Sequence, residues 1–252
     1  EGGRWRTSYG RPVEDETRRD EMTWAEVLVN SSNIGMIKAG ERLSFGQMRD
    51  ALVRFGFGRP TGLGLPGEAA GLVTSSAAWN KYTHTSVCFG HEVAVTPVQM
   101  ARAFAAFARP GNLSGTLPTL RLTSPGPGDA VNHVLYRVLP ADVALTTRRT
   151  MVDVVTNMER RMQEKGWRYD MFGKSGTAKI SISGPPEGHV LPVWSNGYLQ
   201  RQYVGSFVAG APLEQPRLVI VVTIDDPGPE AVQGRLYFGS ASAGPVARRV
   251  LE

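Results

Sequence analysis

Apolar and polar positions alternate so as to divide the chain into a helical front and a strand-rich back. Thr23-Trp-Ala-Glu26 stands before an apolar-periodic run and has the chemistry of a capping box. The Thr hydroxyl can accept from the third helical amide while the Glu side chain reaches back to the cap amide. Ser44-Phe-Gly-Gln47 repeats the device, and that helix is expected to stop at Gly56, where a left-handed residue costs little. Thr96-Pro97-Val98-Gln99 adds a proline at the first helical position, where its missing N–H is no loss. The helix it opens should run to Ala108 and be broken by Pro110. The longest helix is expected from near Ala141, after Pro140, to Lys165-Gly166. Met151, Val154, Val155, Met158 and Met162 recur along it at helical spacing and form a core stripe.

Strands come late. Tyr203–Ala211 and Arg217–Asp225 are rich in β-branched and aromatic residues, and Pro212-Leu-Glu-Gln-Pro216 between them reads as a short hairpin connection. Lys179–Ser183 should end a third strand, and Gly244-Pro245 should open a terminal helix through Leu251. Arg109–Asp129 reads as a loop around a short strand and Gly184–Gly197 as a second long loop. A helical front, adjacent antiparallel strands and a closing helix predict an α/β chain of the segregated α+β kind, not alternating βαβ units.

Composition narrows the functional classes. With 252 residues, 41% hydrophobic and 20% charged, the chain can bury a sizeable core, which excludes disordered and collagen-like readings. The net charge of +5 is scattered in pairs such as Arg18-Arg19, Arg148-Arg149 and Arg248-Arg249. That pattern favours an expectation of solvated surface charge over attraction to nucleic acid or an anionic surface. Cys88 is the only cysteine, so neither a disulfide framework nor a thiolate metal cage is available. The longest apolar stretch, Leu218–Ile224, is far short of the ~20 residues a spanning helix needs. The chain opens Glu1-Gly2-Gly3-Arg4 without an initiator Met, so any targeting segment is expected upstream.

Several motif matches fail on context. Gly62-Leu-Gly64-Leu-Pro-Gly67 fits G-x-G-x-x-G, but no strand precedes it and Pro66 blocks a helix inside it. Gly173-Lys174-Ser175 lacks the earlier glycine of a phosphate loop, since Arg168 stands there. No serine sits in G-x-S-x-G. His84, His91, His133 and His189 show no zinc-ligand spacing, so no metal or other cofactor is expected.

Two short motifs remain. Ser31-Ser32-Asn33 falls at or just past the end of the Thr23 helix, and Lys174-Ser175-Gly176-Thr177 at the start of a strand. In this order they match the second and third motifs of the penicillin-recognising serine acyltransferases, whose first motif is S-x-x-K. Their flanks make the match specific. Val29-Asn-Ser-Ser-Asn-Ile-Gly-Met36, Thr61-Gly-Leu-Gly-Leu-Pro-Gly-Glu68, Phe89-Gly-His-Glu-Val-Ala-Val-Thr-Pro-Val-Gln-Met-Ala101 and Gly173-Lys-Ser-Gly-Thr-Ala178 resemble segments of class B penicillin-binding proteins. Tyr203–Pro212 and Val221–Pro227 look like the closing strands of the same transpeptidase fold, and the likeness runs in register from about Tyr9 onward. The Asn-Ser-Ser-Asn-Ile-Gly wording resembles the division-type members.

The resemblance implies a penicillin-binding-protein transpeptidase or serine β-lactamase-like fold, an antiparallel sheet flanked by helices. Residues 1–170 would form the mainly helical part with S-x-N, and residues 171–252 the K-S-G-T strand, closing strands and last helix. By resemblance Ser31 relays a proton to the leaving group, and Asn33 binds the substrate's peptide carbonyl and steadies the active-site lysine. Lys174 shapes the charge around Ser31. Thr177 offers its backbone amide to the oxyanion, and the Ser175 and Thr177 hydroxyls hold a carboxylate. Gly176 removes a side chain that would block the substrate. The plainer reading makes Ser31 and Asn33 helix C-terminal caps and Lys174 a solvated strand end. The resemblance further implies peptidoglycan stem peptides and β-lactams as partners. It also implies a membrane anchor upstream, an extracytoplasmic or periplasmic site of action, and glycosyltransferase and division proteins met through upstream segments.

The nucleophile motif is missing. The residues three before Lys38, Lys81, Lys165, Lys174 and Lys179 are Gly35, Ala78, Met162, Met171 and Gly176, so S-x-x-K does not occur. The expectation is a transpeptidase domain lacking its N-terminal part, inactive by itself. A non-catalytic binding or scaffold module is the alternative. A class A β-lactamase would carry Glu-x-x-Leu-Asn between the motifs, and none of Glu41, Glu68, Glu92, Glu159 and Glu164 is so followed.

Overall fold

The structure, a computed structural model, describes residues 2–123, 133–164, 166–182, 194–195 and 197–252. It divides into two compact units, Glu1–Met151 and Val152–Glu252. The first begins with a hairpin of β1 (Arg4–Arg6) and β2 (Pro12–Glu14), then α1 (Trp24–Val29), α2 (Asn33–Gly40) and α3 (Phe45–Arg54). β3 (Leu72–Val73), α4 (Lys81–Val87), β4 (Val93–Ala94) and α5 (Pro97–Ala108) follow, with β3 and β4 antiparallel. A further hairpin, β5 (Thr116–Pro118) with β6 (Val134–Arg137), leads to α6 (Ala141–Met162), inside which the unit boundary falls.

The three expected capping boxes all form, at Thr23, Ser44 and Thr96. α3 closes on Phe55 and is followed by Gly56 at φ +89°, the left-handed residue that ends it. α6 stops earlier than Lys165-Gly166, because Gln163 takes the left-handed region at φ +59°. Of its stripe, Met151, Val154, Val155 and Met158 are buried.

In the first unit, Val13 of β2 packs with Ile34, Ile37 and Cys88, flanked by Trp5, Met48 and Phe89. The glycine-rich segment after α3 is a loop, pinned from α5. Gln99, fully buried, donates from Nε2 to the carbonyls of Arg59 and Ala70, both at 2.8 Å. Its Oε1 accepts from the Thr96 N–H at 2.8 Å. Arg102 Nη1 donates to the Thr61 carbonyl at 2.9 Å.

The second unit contains β7 (Phe172–Ser181), β8 (Trp194–Ser195), β9 (Tyr198–Ala211), β10 (Leu218–Asp225), α7 (Pro229–Gln233) and α8 (Ala243–Leu251). The strands form one antiparallel sheet in the order β10-β9-β7, with β8 also paired to β9. The β9–β10 hairpin is the expected one, though β9 begins five residues earlier, at Tyr198 and not Tyr203. The expected loop over Gly184–Gly197 lies mostly outside the described residues, as do Ser183 of the expected third strand and residues 124–129 of the Arg109–Asp129 loop, whose expected short strand is β5.

α8 is tied to the entrance of β7 through Arg248, whose side chain is only 2% exposed. Its Nε lies 3.0 Å from Glu159 Oε1 but off the line of its own N–H, an ion pair and not a hydrogen bond. Nη1 meets Glu252 Oε1 at 3.2 Å and donates to the Tyr169 carbonyl at 2.7 Å, and the guanidinium lies over the Trp167 ring at 4.4 Å. Glu252 in turn accepts from the Arg168 and Tyr169 N–H groups. Burial raises the Glu159 carboxyl and lowers the Arg248 guanidinium from their ordinary values, so for both partners desolvation outweighs the attraction. Such a cluster adds little net stability while whole, but Arg248→Ala would remove three contacts of a buried side chain and leave two partly exposed carboxylates without their partner. Arg248→Ala is therefore expected to destabilise the chain by about 1–3 kcal/mol, read from urea denaturation. A loss below about 1 kcal/mol would show that the carboxylates find water or new partners.

Candidate active site

The two motifs belong to different units. In the first, α1 ends on Asn30, whose backbone N–H and Nδ2 both reach the Glu26 carbonyl, at 2.8 and 2.9 Å. Ser31 then turns the chain in the left-handed region, at φ +53°, an uncommon conformation for a residue with a Cβ. Ser32 is the N-cap of α2, and its Oγ accepts from the Gly35 N–H at 2.9 Å. Asn33 is the first residue of α2, and its Nδ2 donates to the Glu14 carbonyl at 3.0 Å. Neither Ser31 nor Asn33 is thus a helix C-cap; Asn30 has that part.

A residue that the sequence reading passed over completes the turn. Asp15, at the end of β2, accepts from the Ser32 hydroxyl through Oδ2 at 2.5 Å and from the Ile34 N–H through Oδ1 at 3.0 Å. Asp15 and Ser32 are buried, at 8% and 4% exposure. Position N3 of α2 is Gly35, which has no side chain to close a capping box, and the carboxylate comes instead from Asp15, the residue after β2. Gly35 is also where α1 comes close, since a Cβ there would lie 2.5 Å from Val27 Cγ2.

In the second unit, Lys174-Ser175-Gly176-Thr177 lies inside β7, which begins at Phe172. β7 pairs with β9 along one edge, and its other edge meets no strand among the described residues. Ser175 is opposite Phe207 and Thr177 opposite Gly205, while Lys174 is opposite Val208 and Gly176 opposite Ser206. Strand alternation therefore places the two hydroxyls on one face and Lys174 on the other. The half-buried Lys174 donates from Nζ to the Ser175 carbonyl at 2.9 Å, and burial lowers it from its ordinary value to about 8. It is not a solvated strand end.

The hydroxyl face is overlaid by the segment before α8. Thr177 Oγ1 accepts from the Gly239 N–H at 2.9 Å and keeps its own hydrogen for a second partner. A Cβ on Gly239 would stand 2.2 Å from the carbonyl oxygens of both Gly176 and Ser206, so only glycine permits this approach. The Tyr203 and Tyr237 rings stack at 4.1 Å, and Tyr237 stacks on Phe238 at 4.3 Å. No sequence signal marked Gly239, because the Thr177 hydroxyl it meets lies 62 residues away.

A sheet with Lys-Ser-Gly-Thr on an edge strand, and a helical unit with Ser-x-Asn at a helix start, are the parts of a penicillin-recognising acyltransferase. Residues 2–252 match the family described as penicillin binding protein transpeptidase domain, and the chain belongs to that family. It is 33% identical over 223 residues to the probable peptidoglycan D,D-transpeptidase PbpC of Pseudomonas aeruginosa, covering 88% of this chain and 36% of that protein. It is 30% identical over 237 residues to the peptidoglycan D,D-transpeptidase FtsI of Escherichia coli, covering 94% of this chain. The chain thus spans 36% of the length of each of these relatives. Among solved structures, the apo transpeptidase domain of Burkholderia pseudomallei penicillin-binding protein 3 matches with a TM-score of 0.78 at 26% identity, over 99% of this chain and 70% of that one. Penicillin-binding protein 3 of Mycobacterium tuberculosis, complexed with aztreonam, matches with a TM-score of 0.69 at 26% identity, over 98% and 56%. The expected family and fold, an antiparallel sheet flanked by helices, are borne out.

The lowered Lys174 value has a consequence for stability. The unfolded chain keeps its lysine near 10.5, so between about 8 and 10.5 it binds more protons than the folded chain. Stability contributed at this site therefore rises with pH across that window, while below it the charged, desolvated lysine is borne in full. Lys174→Met removes the titrating group. Thermal melts of both proteins should show wild type gaining on the variant as pH climbs from 8 to 10.5. A constant difference would mean that Lys174 titrates normally.

Proposed function

We propose that this chain is the larger part of the transpeptidase domain of a class B, division-type peptidoglycan D,D-transpeptidase, acting on stem peptides and acylated by β-lactams. The observation that carries the reading is the placement of Ser-x-Asn on a pinned helix start and Lys-Ser-Gly-Thr on an open strand edge, in a chain of this family. The nucleophilic serine lies outside these 252 residues, since none of the five lysines here follows Ser or Thr at the S-x-x-K spacing. The working site is extracytoplasmic, with membrane anchoring and contacts to glycosyltransferase and division proteins supplied by other parts of the polypeptide.

In this reading a substrate strand lies along the open edge of β7. The nucleophile's oxygen bonds to the scissile carbonyl carbon, the carbon–nitrogen bond breaks, and the proton released by the nucleophile reaches the departing amine through Ser31. An acceptor amine then bonds to the same carbonyl carbon as the ester carbon–oxygen bond breaks, and the amine's proton returns to the nucleophile's oxygen. The Thr177 backbone N–H faces the developing oxyanion, and the Ser175 and Thr177 hydroxyls donate to a carboxylate. Asn33 binds the substrate's peptide carbonyl. A Lys174 held near 8 is suited to exchange a proton close to neutral pH, which supports its place in the relay around Ser31. The absent S-x-x-K favours a second reading, a non-catalytic module of a wall-synthesis complex, and the first experiment separates the two.

Incubated with a fluorescent penicillin, the 252-residue chain is expected to take up no covalent label, whereas protein expressed from the whole gene labels stoichiometrically. A whole-gene protein that stays unlabelled would leave the scaffold reading in possession. The division of roles is tested by stopped-flow acylation of the whole-gene protein. Lys174→Ala should lower the rate constant at saturating β-lactam by roughly 10²–10⁴-fold, as loss of an acid–base group does. Thr177→Val keeps the backbone N–H and should act mainly on apparent affinity, lowering acylation efficiency roughly 10- to 150-fold. The reverse pattern would refute these assignments.

A further inference from the structure

The Ser31–Asn33 turn depends on a group that lies outside it. Ser31 sits in a conformation that few side-chain-bearing residues adopt, and the residue after it must start a helix whose first N–H groups need acceptors. Ser32 Oγ satisfies Gly35, and the Asp15 carboxylate satisfies Ile34 while orienting the Ser32 hydroxyl. Beside it the Glu14 carbonyl takes the Asn33 Nδ2 hydrogen bond. β2 is itself held, because the Asp15 N–H donates to the Gly3 carbonyl at 3.0 Å and Val13 is packed in the core. A buried negative charge at the start of α2 is also favoured by the helix dipole.

We propose that Asp15 is a positioning residue for acyl transfer: through Ser32 and Ile34 its buried carboxylate fixes the direction in which the Ser31 hydroxyl and the Asn33 side chain face. The proposal rests on the acyl-transfer reading and adds to it a residue seventeen positions before Ser32 in the chain. Asp15 need not touch the substrate, since a displacement of about 1 Å at a reacting group can cost 10²-fold in rate.

The test uses whole-gene protein as wild type, Asp15→Ala, Asp15→Asn and Leu117→Ala. Leu117 is a fully buried β5 residue remote in sequence from the motif, and its truncation serves as a control for lost stability alone. Asp15→Ala should lower the saturated acylation rate roughly 10- to 100-fold with little change in apparent affinity for the β-lactam. Asp15→Asn keeps one acceptor and should recover part of that rate, while Leu117→Ala should keep all of it. Hydrogen exchange at the Ile34 and Gly35 amides should quicken about tenfold in Asp15→Ala relative to wild type, as befits the loss of one hydrogen bond. A wild-type saturated rate in Asp15→Ala, a loss in affinity alone, or an equal rate loss in Leu117→Ala would overturn the proposal. If Asp15→Ala does not fold, Asp15→Asn carries the same comparison. Should wild type take up no label, the acyl-transfer reading falls and the catalytic role with it. The exchange rates then judge the clamp by themselves, unchanged Ile34 and Gly35 amides refuting it and faster ones upholding it.

Discussion

A strand with one edge unpaired by any strand among the described residues can be held only from its other edge and from its faces. β7 meets this constraint in three ways. It is paired with β9 from Phe172 to Ser181, its hydroxyl face is covered by Gly239, and its entrance is gripped by Arg248 and Glu252. The glycine is part of the same solution. Gly239 has to lie almost on the Gly176 and Ser206 carbonyls to reach the Thr177 hydroxyl, and any side chain would lift the segment away. The two hydroxyls and the lysine then fall on opposite faces because strand alternation allows nothing else.

The first unit answers a different constraint, that of unpaired backbone groups at a break between helices. Between Val29 and Asn33 the chain leaves one helix and starts another, with Asn30 closing the first and Ser32 opening the second. Ser31 is left to take the positive φ that joins them. Ser31 is exposed at this turn, with Asn30 and Ser32 on either side serving as the caps of the two helices. Two of its partners come from the end of β2, so the small first hairpin is part of the site's foundation and not an appendage.

Burial acts on the ionisable groups of the second unit with one sign and two outcomes. Arg248 and Glu159 are both pushed toward neutrality, but each faces the other's charge, and their role is structural. Lys174 is lowered by burial alone, toward the range where a proton is easily exchanged. Desolvation thus works against the Arg248–Glu159 ion pair in one place and lowers a candidate catalytic lysine in another.

The sequence by itself determined what depends on residues within about four positions of one another. The caps at Thr23, Ser44 and Thr96, the stop at Gly56, the stripe along α6 and the β9–β10 hairpin were all legible, because their hydrogen bonds and packing faces are written in local spacing. The two motifs and their family likeness were legible for the same reason, being short runs of fixed order. The short strand expected within Arg109–Asp129 is β5, but the β1–β2 hairpin, the β3–β4 pair and the β6 partner of β5 were not legible, since strands of two to four residues are too short to show alternation. Only the tertiary structure decided that Asp15 completes the cap of α2, that Gly239 rests on Thr177, and that Lys174 is half-buried. Each of these joins groups far apart in the chain, and no local pattern records which distant carboxylate, amide or apolar wall the fold brings to meet them.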